Sequence, residues 1–147
     1  MSDRLETDIL VDGPPERVYA FLCVPANHAK FIPGMLEFEQ TSPGAFERRG
    51  ATARGRRRWL GRLVDLPYEI TICEPGRELG MKGVLGPIPF EDGYLLNAQG
   101  NDTRVTFWLR FKPAGVILLA MPLLLVWGKI HAIETLRNVR NLYQAAA

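Results

Sequence analysis

Arginine is the charged residue that this chain concentrates. Arg48, Arg49, Arg54, Arg56, Arg57, Arg58 and Arg62 fall in one stretch. Alternate residues of a strand share a face. If 51–63 is one strand, Arg54, Arg56, Arg58 and Arg62 line one side, and Arg57 and Trp59 the other. Such a strip is either a solvated face that blunts the sheet edge or a contact for anionic lipid headgroups or an acidic partner. An inward Arg57 beside Trp59 can instead pair with a ligand carboxylate, phosphate or enolate at a cavity mouth. His28 and His131 are the histidines. His131 lies one turn after Trp127 and three residues before Glu134, a spacing that suits general acid–base work, but helical periodicity puts both off the apolar stripe and predicts a surface pair. His28 falls where a second short helix is expected and can cap or gate there. With Arg57, the strand tyrosines Tyr68 and Tyr94 complete a candidate catalytic set of Arg57, Tyr68, Tyr94 and His28. No His, Cys or carboxylate cluster has metal-ligand spacing, no glycine motif cradles phosphate, and no nucleophile stands beside a base, so no metal and no cofactor is expected.

The totals bound what these groups can serve. The chain has 147 residues and a formal net charge of +2. That length suits a single domain over 1–147 with a real core, and that charge does not call for nucleic acid. Cys23 and Cys73 sit among apolar residues and read as reduced thiols, which fits a cytoplasmic protein. The N-terminal residues Asp3, Glu6 and Asp8 are acids where a signal peptide would have bases and then apolar residues.

The elements follow from periodicity. Leu5, Thr7, Ile9 and Val11 alternate with polar residues in a first strand. Pro14-Pro15-Glu16 starts a short helix that Pro25 ends, and a second short helix reaches Phe31. Strands follow over 35–41, 51–63, 64–74, 77–83, 90–98 and 103–112, with turn signals at Ser42-Pro43-Gly44, Pro75-Gly76 and Gly100-Asn101. Pro113 and Gly115 close the last strand. Residues 116–127 are apolar apart from Pro122, and Val126, Ile130, Ile133, Leu136, Val139 and Tyr143 then mark one helical stripe. The expectation is one long helix over 116–143, kinked or restarted at Pro122 and wrapped along its first half by the rest of the chain. Runs of strands bounded by helices imply an α+β fold with the helices on one face of an antiparallel sheet.

This order resembles the helix-grip fold of the START-like superfamily, also called SRPBCC, which includes polyketide cyclases, lipid-transfer domains and plant pollen allergens. The residues that carry the resemblance are Ile9 to Leu22 (ILVDGPPERVYAFL), Phe31 to Gly34 (FIPG), Glu74 to Leu79 (EPGREL) and Gly100 to Phe107 (GNDTRVTF). The resemblance implies a curved sheet gripping the C-terminal helix, with a cavity between them roofed by the two short helices. Leu36, Phe38, Tyr68, Ile70, Ile72, Leu79, Met81, Phe107, Leu109, Phe111, Leu119, Leu123, Trp127 and Ile130 are its candidate lining, or else they fill a solid core.

Three functions compete. The first is binding of an apolar small molecule (a lipid, a quinone or a polyketide-like compound) by a monomer or homodimer. The second is a polyketide cyclase or dehydratase using polar groups in the same cavity. The residues that polyketide cyclases of the superfamily use find no one-to-one match here, which weighs against the enzyme. The third is a membrane-associated or oligomerising protein that makes peripheral contact with an anionic membrane through the arginine strip and 116–127. Solvent exposure of Leu119 and Leu123 separates this last reading from the other two.

Overall fold

The computed structural model describes residues 4–146; the reading of the first residues as unlike a leader lies partly outside them. Strands β1 (Leu5–Val11), β2 (Met35–Gln40), β3 (Thr52–Trp59), β4 (Arg62–Glu74), β5 (Glu78–Leu85), β6 (Ile88–Gln99) and β7 (Asp102–Phe111) form one antiparallel sheet. Its order is β1-β7-β6-β5-β4-β3-β2. Helices α1 (Pro15–Leu22) and α2 (Pro25–Phe31) follow β1, and a 3-10 turn (Gly115–Ala120) leads into the long α3 (Met121–Ala146). This is the α+β helix-grip architecture, with a curved sheet against a C-terminal helix and two short helices after the first strand.

Local chemistry explains the elements. Each short helix begins with proline in its first turn, where the missing donor costs nothing. Between β1 and α1 the chain reverses at Gly13, with φ +101°. Its carbonyl accepts from the Thr103 hydroxyl at 2.8 Å, and a Cβ there would stand 2.7 Å from the Tyr143 hydroxyl. Gly13 thus fastens the β1–α1 corner to both β7 and the end of α3. Gly128 does the same at the other end. A Cβ at that position would come within 2.7 Å of Leu5 and 2.9 Å of Phe111, so only glycine lets α3 lie this close to β1 and β7.

Four expectations are corrected. The arginine strand ends early. Leu60 (φ +51°) and Gly61 (φ +75°) form a two-residue hairpin turn, so Arg62 begins β4 and pairs with Trp59. Arg62 therefore leaves the strip of Arg54, Arg56 and Arg58, whose residues lie opposite Pro67, Asp65 and Leu63. Two β-bulges shift the inward set. The first, between Met35 and Glu37, turns Met35 and Phe38 inward and leaves Leu36 half exposed. The second, between Ile70 and Ile72, pairs Ile72 with Gly80 and lays its side chain over that glycine, away from Met81 and the interior.

The helix differs most. Pro122 occupies the first turn of α3 and, of its two expected roles, restarts the helix after the 3-10 turn instead of kinking it. The stripe read from Val126 to Tyr143 does not stay on one side. Helical residues advance about 100° each, so steps of three fall back by about 60°, and the run drifts from one face to the other. Leu136, Val139 and Tyr143 are buried, whereas Val126, Ile130 and Ile133 are exposed. The true buried face is Leu124, Gly128, Ala132, Thr135, Leu136, Val139 and Tyr143. Leu119 and Leu123, expected inside, are 85% and 76% exposed. The first half of the apolar run is therefore wet on its outer side, as the third reading expects, while its inner side, at Leu124 and Gly128, still packs on the sheet and leaves the ligand readings open.

Candidate functional site

The interior site lies between the sheet and the first turns of α3. Inward side chains of β3 to β7 supply Arg57, Leu66, Tyr68, Leu85, Phe90, Asp92, Tyr94, Phe107, Leu109 and Phe111. The α2–β2 corner adds Ile32, and the sheet-facing side of α3 adds Trp127, His131 and Thr135. Arg57 enters this wall because it sits one residue out of phase with Arg56 and Arg58, opposite Val64. Its Nη2 donates to the Pro33 carbonyl at 2.8 Å, and its guanidinium carbon stands 5.4 Å from the Trp127 ring centre. Trp127 in turn stacks on His131, with centroids 4.9 Å apart. The result is a cation, an indole and an imidazole in sequence along one wall.

The electrostatics are unusual for so apolar a site. Arg57 is buried, its Nε has no hydrogen-bond partner, and no carboxylate of the described residues lies within ion-pair distance. Burial lowers its pKa from the usual arginine range, although Tyr68 works the other way. Asp92 is buried with an unpartnered Oδ1, and loss of water raises its carboxyl to about 7. His131 is pushed down to about 3, first by burial and then by the charge of Arg57, so it is a neutral imidazole. The two tyrosines are held as phenols by burial, with Asp92 adding to the effect. The site therefore offers one cation, one carboxyl that exchanges its proton near neutral pH, and neutral donors in an aromatic shell. That set can hold an oxygen carrying negative charge and pass a proton to it or from it.

The interior is almost filled. The space open to the centre of a water molecule is about 20 Å3, enough for about one water. A ligand-sized void, as the resemblance implied, is not open in this conformation. A groove of about 650 Å3 on the opposite face of the sheet is larger, but its Lys82 and Lys112 are paired with Glu69 and Glu91.

Of the expected lining, Tyr68, Phe107, Leu109, Phe111 and Trp127 surround this space. Phe38, Ile70, Leu79 and Met81 are buried beyond it in solid core. Leu36, Leu119, Leu123 and Ile130 are exposed and Ile72 covers Gly80, for the reasons given above. Of the catalytic candidates, Arg57, Tyr68 and Tyr94 come together. His28 does not join them. It is sealed among Phe31, Phe38 and Phe46, its Nε2 bonds the Leu22 carbonyl at 2.7 Å, and burial lowers it to about 4; it ties α2 to α1. His131, expected at the surface with Glu134, faces the interior, while Glu134 is exposed. The drift of the helical stripe hid it. Asp92 joins the site without having been expected there, although period-two alternation through Phe90, Asp92 and Tyr94 places it inside.

The surface strip is mostly neutralised. Arg54 pairs with Glu39 at 3.1 Å and Arg56 with Asp65 at 3.0 Å. Cys23 and Cys73 are free and half buried. The Tyr19 hydroxyl lies 3.2 Å from the Cys73 sulfur, and burial raises Cys23 to about 12.

Comparison with known proteins bears on the fold. No protein-family model and no curated protein sequence matches this chain. Solved structures do. TTHA0849 from Thermus thermophilus superposes with a TM-score of 0.80 at 16% identity, covering 98% of this chain and 99% of that one. The ZhuI aromatase/cyclase from Streptomyces sp. R1128 gives 0.74 at 13% identity, covering 96% and 93%. The di-domain aromatase/cyclase BexL of the BE-7585A biosynthetic pathway gives 0.76 at 14% identity; the match covers 96% of this chain and 46% of BexL. The chain therefore shares the helix-grip fold of these structures.

Proposed function

We propose that this protein binds an apolar, largely flat small molecule that carries one anionic oxygen. The observation that carries this reading is Arg57, a buried guanidinium with no carboxylate partner inside an aromatic shell. Arg57 has a carbonyl and an indole beside it but no anion, and a buried charge left without its counter-charge costs roughly 3–5 kcal/mol in measured cases. A ligand oxygen would supply the missing partner. The space must open for it. Trp127 and the first turns of α3 are the wall that can move, because their outer side packs on nothing. Apolar burial then supplies most of the affinity, at about 25 cal/mol per Å2, and Arg57 sets the orientation. The aromatase/cyclases among the similar folds are compatible with such a ligand.

Calorimetric titration with 2-naphthoate and with its neutral amide tests this. Arg57→Gln is expected to weaken naphthoate by at least about tenfold and to leave the amide nearly unchanged, as expected for a charge-assisted bond. Equal losses for both, or no binding by the wild type, would remove the reading. A second reading, proton transfer to or from a bound enolisable ketone, is favoured by Asp92, which lies in the same space with its proton exchangeable near neutral pH. It requires that Asp92→Asn abolish deuterium uptake at the α-carbon of such a ketone without loss of binding.

A further inference from the structure

Because the strands are antiparallel, one end of the sheet gathers the C-terminal ends of β3, β5 and β7 and the start of α3. This is the end where Ile32, Arg57, Leu85, Phe111 and Trp127 close the interior. The tips there touch: a Cβ on Gly86, in the β5–β6 turn, would stand 3.2 Å from the Trp59 ring, and one on Gly34 would stand 3.4 Å from the Arg57 guanidinium. Around this mouth the surface is apolar. Leu60 is 82% exposed at the tip of the β3–β4 hairpin, and Val116, Leu118, Leu119, Leu123, Val126 and Ile130 are exposed along the 3-10 turn and α3. Leu60 also holds a positive φ, where Asn, Asp or Gly would sit at lower cost in such a turn. Folding explains neither its conformation nor its exposure.

Charge selects the occupant. The segments that form the mouth, residues 33–36, 57–64, 85–88 and 112–129, contain Arg57, Arg58, Arg62, Lys112 and Lys129 and no Asp or Glu. Lys112 is paired with Glu91 and Lys129 bonds the Glu6 carbonyl, but Arg58 and Arg62 reach no carboxylate among the described residues. We infer that this end docks on an anionic lipid surface, with Leu60, Leu119 and Leu123 entering the acyl boundary and Arg58 and Arg62 at the headgroups. A second copy fits worse, because a two-fold contact would press the same bases against each other. The apolar run does not cross the bilayer. Its most apolar window has a mean hydropathy of 2.0, but Leu136, Val139 and Tyr143 bind the later turns to the sheet, so the helix can only lie in the interface. Docking so placed would open the moving wall toward lipid and let an apolar ligand pass without crossing water. That link to exchange rests on the binding reading above; the docking does not.

The test is flotation with vesicles of phosphatidylcholine alone and of phosphatidylcholine with phosphatidylglycerol. Wild type is expected to float only with the anionic vesicles. Leu60→Asp/Leu119→Asp/Leu123→Asp should lower that partition by more than about tenfold, and Arg58→Gln/Arg62→Gln by about fivefold per base. Should the triple variant fail to fold, Leu60→Asp alone carries the comparison. No flotation, equal flotation on neutral vesicles, or full flotation of the apolar variant would overturn the proposal. So would a wild-type dimer in light scattering that these substitutions split while flotation stays absent, since a second copy would then cover the patch. Naphthoate titration in vesicle-free buffer reads the ligand separately: if it fails while flotation holds, only the binding reading falls.

Discussion

The two halves of α3 differ in composition, and their burial runs opposite to it. The later half, from Ala132 to Tyr143, mixes bases and amides with its apolar residues, and it is the half the fold buries. The earlier half is almost wholly apolar, and Leu123, Val126 and Ile130 stand in water. Mean hydropathy ranks the halves in the wrong order. What decides burial is whether a face meets the sheet, and only one face of a helix can. The later half spends its apolar residues on that face. The earlier half has more than one face can use, and the surplus is available for something other than folding.

The sharpest way to break this comparison is to place one charge on each half. Leu136→Asp should unfold the chain, costing more than about 4 kcal/mol, because the carboxylate is sealed without a partner. Leu123→Asp should change stability by less than about 0.5 kcal/mol. Thermal melts of the two variants decide; equal melting temperatures would mean that the halves do not differ. Next in size is the hinge between them. Gly128→Leu should cost about 1–3 kcal/mol in chemical denaturation, since its side chain must push α3 off Leu5 and Phe111.

A titration separates the site from the core. Asp92 has a raised folded pKa of about 7, so the stability it contributes is complete at low pH, below its unfolded value, and is lost as pH rises through about 7. Asp92→Asn should therefore be more stable than wild type at pH 8 by about 1–3 kcal/mol, with the gap closing toward pH 4. His28 and His131 run the opposite way. Their lowered pKa values, about 4 and about 3, mean that stability present above the unfolded histidine range is lost as pH falls through those values. Melting curves across pH 3 to 8 should thus pass through a maximum, and Asp92→Asn should flatten only its alkaline side. The smallest effect belongs to the outer face. Arg54→Gln/Arg56→Gln removes two exposed ion pairs and should cost no more than about 1 kcal/mol in the same melts.

Much of the fold was legible because strands and caps write local signals. Alternation in β1 and β7, prolines at the helix starts, and Gly100-Asn101 at the last hairpin all stand where the sequence puts them. Non-local events were not legible. Nothing near Leu36 or Ile72 announces a bulge, because a bulge depends on what the neighbouring strand can pair with. Likewise Leu60-Gly61 hides a hairpin, since leucine is rarely found at positive φ. The site followed suit. Arg57, Tyr68 and Tyr94 follow from strand parity, and Asp92 would have followed from the same rule. His131 required the true face of α3, which a stripe of three-residue steps misplaces.

If the proposed binding reading holds, the early half of α3 is a movable wall over Arg57. Hydrogen exchange of the intact protein, with and without 2-naphthoate, tests it most directly. Free protein should exchange faster over 121–130 than over 132–143, because the later turns are held by Leu136, Val139 and Tyr143. Naphthoate should slow exchange over 121–130 and in β3 around Arg57, and leave 132–143 unchanged. Equal protection of both halves in the free protein, or ligand protection confined to the outer face of the sheet, would contradict it.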